Sequence, residues 1–168
     1  MICLAITSCC FPSSFFLNDW LKVHTPWHHL ITFCGLGYVL VGAIGASILA
    51  VVWTSVLKDY ATATPDLQLV LKNNFRFFNE MVYSGMWNLL EVFFAGFWWL
   101  AAGIVLCKKR YLLAGLLTVI TGVSSLADGV AGVFQSAALH EAALNAYLLL
   151  AIIWALVMGA ILLRRELA

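Results

Sequence analysis

Met81–Cys107 reads MVYSGMWNLLEVFFAGFWWLAAGIVLC, the bases Lys108-Lys109-Arg110 follow, and Tyr111–Phe134 reads YLLAGLLTVITGVSSLADGVAGVF. Each apolar run exceeds the ~20 residues that carry an α-helix across ~30 Å of hydrocarbon. A helix satisfies its backbone polar groups inside one such segment, and the period-two alternation of a barrel strand is missing from both runs. The pair therefore predicts a transmembrane helical hairpin with a basic turn. Working outward, Leu30–Leu57 and Ala142–Leu163 meet the same length. The expected fold is all-α: a membrane-spanning four-helix bundle, one integral membrane domain over residues 1–168. Its spans lie at about 30–57, 81–107, 111–134 and 142–163.

Composition agrees. The 168 residues are 64% hydrophobic and only 10% charged, against about 25% charged in a soluble domain. Too few charges remain to cover a water-facing surface, so the apolar excess faces lipid. A formal net charge of +1 argues against nucleic acid as a partner, since phosphate binding needs clustered Lys and Arg. The five cysteines, Cys3, Cys9, Cys10, Cys34 and Cys107, form no C-x-x-C pair and are odd in number. They read as free, small apolar residues.

Met1–Leu17 is apolar but short and broken by Pro12, Ser13 and Ser14, and it lacks a basic start and a cleavage site. It is expected to be an interfacial or unordered start. The polar link Lys58–Glu80 contains Thr64-Pro65-Asp66, a helix start. Leu67, Val70, Leu71, Phe75 and Phe78 then recur at helical spacing. Residues 65–80 are expected to form an interfacial amphipathic helix, or a plain extension of the second span.

The basic turn Lys108-Lys109-Arg110 and the pair Arg164-Arg165 are expected on the cytoplasmic side, and Gln135–Glu141, which has no Lys or Arg, outside. That arrangement predicts a multi-pass protein of the cell inner (plasma) membrane with both termini cytoplasmic. Lys58, Lys72 and Arg76 in the outer link run against this rule.

Span three carries a stripe of small residues: Gly115, Gly122 and Gly129 every seven, with Thr118, Ser125 and Gly132 every seven between them. Such stripes let membrane helices approach closely. Its expected partners are helices of this chain or of another copy in a homo-oligomer.

Acids inside spans point to function. Glu91 lies eighteen residues before Lys109 and Asp128 nineteen after it, so both stand about 27 Å up the hairpin. Asn145, nineteen residues before Arg164, reaches the same level on span four. Asn88 is three residues from Glu91, on the same helix face. His140 lies in the loop above. The expected site is an outward-facing polar pocket lined by Asn88, Glu91, Asp128 and Asn145, with His140 at its mouth. It would bind a cation, a proton or an amine, because two neighbouring carboxylates can share one proton. The competing reading is a polar layer simply solvated near the headgroups.

Weaker signals surround this one. His24 and His28 are four apart, but Pro26 interrupts any helix that would align them, and no metal is expected there. Trp20, Trp27, Trp53, Trp87 and Tyr60 fall near span ends as an aromatic belt does. Trp98 and Trp99 read as packing residues. No nucleophile elbow, P-loop, Rossmann glycines or H-E-x-x-H is present, so the cofactor is left unknown.

Gly96-Phe97-Trp98-Trp99-Leu100 with Gly103, the basic turn, and Leu113-Ala114-Gly115-Leu116-Leu117 leading to Gly122 resemble the carboxyl-terminal half of an uncharacterised bacterial family of integral membrane proteins with about six spans. The resemblance covers about Trp87–Arg165. Many members carry a proline in the turn, which this chain lacks, and the family's first helices would be missing here. The resemblance implies a membrane class and no mechanism. Asn88-Leu89-Leu90-Glu91 is also similar to the Asn-x-x-Glu of small four-helix membrane glutathione-transferase-like enzymes. Their nearby arginines and later Arg and Tyr signature are absent, and they would place Lys58–Glu80 in the cytosol.

Three functions follow as expectations. The first is a non-enzymatic membrane protein, structural or accessory, or binding a small solute or ion through the polar layer. The second is a proton- or cation-coupled transporter-like protein using Glu91 and Asp128. The third is a glutathione-transferase-like membrane enzyme. The absence of an internal repeat and of proline inside the spans counts against a full transporter.

Overall fold

The computed structural model describes residues 17–109 and 111–166, with side chains as far as 161. The start of the chain through residue 16, with Cys3, Cys9 and Cys10, lies outside the described residues, as does the expectation made for it. Residues 17–24 form a short helix, α1. Pro26 ends it, and α2 runs His28–Thr62. Ala63 and Thr64 are extended, the conformation a following proline imposes. Pro65 then opens α3, Pro65–Glu80, with Asp66 in the first turn, where a negative charge suits the helix dipole.

Met81 keeps helical dihedrals, so α3 runs without a break into a π-helical stretch, Met81–Glu91, and on into α4, Val92–Lys108. The segment expected at the interface is thus continuous with the second span. After the basic turn come α5, Leu112–Val133, and α6, Ala137–Glu166. Among the described residues four helices are long and apolar enough to cross a membrane: His28–Thr62, Pro65–Lys108, Leu112–Val133 and Ala137–Ile161. Twenty-two residues make α5 about 33 Å long, matching the hydrocarbon thickness.

α5 is the central helix, packed on α4 along one side and on α6 along another. Its small stripe is filled from within the chain. A Cβ on Gly122 would lie 2.7 Å from the Leu100 nitrogen, and one on Gly103 would lie 2.8 Å from the Val119 nitrogen. The two backbones touch, as small residues in membrane helices permit. α2 leans on the other side of α4 and the π stretch, with Gly37 against Phe94 and Gly42 against Glu91. Tyr147 on α6 donates a hydrogen bond to Tyr38 on α2 (3.3 Å), linking the two outer helices.

Trp98, Trp99 and Trp154 form the core, their rings meeting edge to face at 4.2–5.9 Å, which favours the aromatic quadrupoles. Leu17 and Leu21 of α1 join this core, and Trp20 packs its ring against Tyr111. Polarity is inverted relative to a water-soluble bundle. Thr118, Thr121, Ser125 and Asp128 are buried, whereas Leu113 is 84% and Leu156 70% exposed. An apolar exterior of this extent suits lipid as the solvent.

Candidate functional site

The site begins where α5 ends. Phe134 follows Val133, and Gln135 has a positive φ of 53°. Its N–H bonds to the Gly132 carbonyl (3.2 Å) and the Ser136 N–H to the Ala131 carbonyl (3.0 Å). This is the helix-ending motif in which glycine is the usual left-handed residue. Here a glutamine occupies that position at a steric cost. Ala137 then starts α6, and His140 lies one turn in, its N–H bonded to the Ser136 carbonyl (2.9 Å).

The tight turn folds α6 back over Asp128, about a turn and a half before the end of α5. His140 Nδ1 stands 2.6 Å from Asp128 Oδ1, within ion-pair distance. Asp128 is 0% exposed, and neither of its oxygens nor His140 Nδ1 has an aligned hydrogen bond. A buried carboxylate costs several kcal/mol unless it is paired, and the imidazole is the pairing group. One turn below, Ser125 donates to the Val92 carbonyl (3.0 Å), tying α5 to α4. Lower still, Trp154 Nε1 donates to Thr118 (2.8 Å), tying α6 to α5. The polar groups of α5 thus serve two neighbours in alternation.

Above the Asp128–His140 pair opens a cleft of about 330 Å³ between the π stretch, the end of α5 and the start of α6. Its polar wall is Ser84, Asn88, Gln135, Ser136 and His140, and Leu89, Ala131 and Val133 supply much of the apolar wall. Ser84 also donates to Glu80 (2.7 Å), on the turn above.

Of the five residues expected at one pocket, Asn88, Asp128 and His140 gather around this cleft. Glu91 does not line it. Its carboxylate lies 3.0 Å from where a Cβ on Gly42 would sit, so it is turned to α2. The π stretch is the physical reason. It turns less per residue than an α-helix, so side chains three apart no longer share a face. Asn145 is exposed and stands apart as well. It is at the right height but five residues from His140, about 140° around a regular helix. The two acids therefore have different neighbours, α2 for Glu91 and α6 for Asp128.

A second polar spot lies on the α2 side. Trp87 Nε1 is buried without a partner against Gly45, one turn from Glu91. Tyr83 meets the Trp87 ring edge to face at 5.0 Å. The histidines near Pro26 bond locally: His24 Nδ1 donates to the Trp20 carbonyl (2.7 Å) and His28 Nδ1 to that of Thr25 (3.3 Å). Among the described residues no cluster of three or more His, Cys, Asp or Glu could hold a metal ion.

Sequence reasoning missed Ser84, Gln135 and Ser136. Only height above the basic turn could have flagged them, and Gln135 gives no local sign of its left-handed backbone. Compared with known proteins, no family model matches the chain, and no curated protein and no solved structure matches it.

Proposed function

We propose that this chain is a multi-pass membrane protein that binds a small polar solute in the cleft where α5 turns into α6. One observation carries the reading: Asp128, fully buried, faces His140 directly beneath an open cleft whose wall carries five polar side chains beside its apolar surface. Acids inside membrane spans are costly and are kept where they serve a pathway or a site. With the basic turn and both termini on the cytoplasmic side of the plasma membrane, the cleft opens outward. The transporter-like alternative asks Glu91 and Asp128 to act as a pair, and their different neighbours give it less support. The enzyme alternative needs Asn88 and Glu91 on one face, and the π stretch separates them.

A second reading, an accessory subunit, is favoured by the α2–α3 hairpin. Thr64 lies twenty residues before Ser84 of the cleft, so the hairpin tip stands about 30 Å beyond it. Leu67, Val70 and Phe77 are exposed along it.

Native mass spectrometry of the detergent-purified protein tests the first reading, wild type beside Asp128→Asn and His140→Gln. The expected result is a bound small molecule in the wild type that both variants lose. Identical spectra for all three, with lipid as the sole bound species, would reject solute binding and turn attention to partners of the hairpin.

A further inference from the structure

We infer that the cleft takes an uncharged polyhydroxyl group. This rests on the solute-binding reading above and names the class of ligand.

The polar wall offers two hydroxyls, two carboxamides and one imidazole edge. Hydroxyls and carboxamides each donate and accept. No Lys, Arg, Asp or Glu lines the cleft. Glu80 beside it already accepts from Ser84, and Asp128 beneath it faces His140. A cation leaving water for this wall would lose its hydration with little direct counter-charge, a costly exchange. A polyol exchanges one set of hydrogen bonds for another at little net cost.

The rest of the wall fits the same class. Leu89, Ala131 and Val133 present an apolar surface on which the C–H face of a polyol ring can rest. About 330 Å³ holds on the order of ten waters at ~30 Å³ each, the scale of a six-membered ring. Buried Asp128 and the Nδ1 edge of half-buried His140, 2.6 Å apart, form the base of the cleft. Gln135, held left-handed, is placed at the rim. The cleft lies at one end of the bundle, at headgroup level. Free polyols and the sugar headgroups of lipids share the recognised chemistry.

The test uses the full chain in phosphatidylcholine nanodiscs. Saturation-transfer NMR compares myo-inositol with cyclohexylammonium, a ring of similar size that carries a positive charge. A parallel native mass-spectrometry arm adds a glucosyl diacylglycerol to the nanodiscs. The expected result is binding of inositol, of the glucosyl lipid, or of both. Binding should weaken about tenfold in Asn88→Leu and in Gln135→Leu, two rim variants that leave the Asp128–His140 pair in place. Inositol binding assigns the free solute, and retention of the glucosyl lipid alone assigns the headgroup. Cyclohexylammonium binding at least as tightly, and lost in Asp128→Asn, would overturn the polyol class and leave solute binding standing. Failure of both inositol and the glucosyl lipid would also overturn it, whatever molecule copurifies with the wild type.

Discussion

Glycine is used in opposite ways on the two sides of α4. Toward α5, Gly103, Gly115 and Gly122 bring backbone against backbone: the Gly122 Cβ position is 2.7 Å from a Leu100 nitrogen, and that of Gly115 is 2.6 Å from a Cys107 nitrogen. Toward α2, Gly42 and Gly45 make room for the large side chains of Glu91 and Trp87. The first seam is closed and its serine is satisfied by a carbonyl. Each side also holds one buried indole N–H without a partner, Trp99 beside the first seam and Trp87 in the second. The same residue type thus builds a rigid joint on one side and a side-chain socket on the other. The cleft lies at the end of the rigid joint, where precise placement of Asp128 and His140 is worth most.

The largest test of this contrast is Gly122→Ala. Backbone atoms cannot swing aside, so the variant is expected to lose about 2–3 kcal/mol in thermal unfolding followed by circular dichroism. Gly42→Ala meets only the carboxylate end of the Glu91 side chain and should cost under about 1 kcal/mol. Equal losses at both positions would erase the distinction between joint and socket.

Asp128→Ala comes next. It strands His140 beside a void and is expected to cost about 1–3 kcal/mol while abolishing solute binding. Ser125→Ala removes one interhelical hydrogen bond, worth about 1 kcal/mol, and should leave binding in place. A Ser125→Ala variant as damaging to binding as Asp128→Ala would merge the joint and the cleft into a single element.

The smallest effect is at Gln135. Glycine there relieves the left-handed backbone, offset in part by glycine's chain entropy, for a gain of about 0.5 kcal/mol. Binding should nevertheless fall, because the carboxamide is lost from the rim. A Gln135→Gly protein that is less stable would show that the glutamine serves the turn itself.

Much of the architecture was legible because membrane physics is one-dimensional. Length and apolarity gave four spans, the basic turn gave the hairpin, and the seven-residue repeat from Gly115 to Gly129 marked the central helix. Counting residues from Lys109 gave heights, and so paired the levels of Glu91 and Asp128, with Asn88 within a turn of them. Height says nothing about direction around the helix. Asn145 was misplaced for that reason, although the angle from His140 could have been counted. Glu91 was misplaced for a deeper one: a π-helical phase shift leaves no mark in residue spacing. Gln135 was invisible because the left-handed end of a helix is read from glycine, and none is there.

The central claim is a membrane bundle with a water-open cleft between the π stretch, α5 and α6. Thiol labelling tests it most directly. In a background with all five cysteines replaced by serine, Asn88→Cys and Phe97→Cys are treated with a charged, water-soluble maleimide in intact vesicles. Phe97 is 55% exposed, more so than half-buried Asn88. The account predicts that Asn88→Cys labels and Phe97→Cys does not, since the open surface around Phe97 faces lipid. Labelling of Phe97→Cys with Asn88→Cys silent would contradict both the membrane and the cleft.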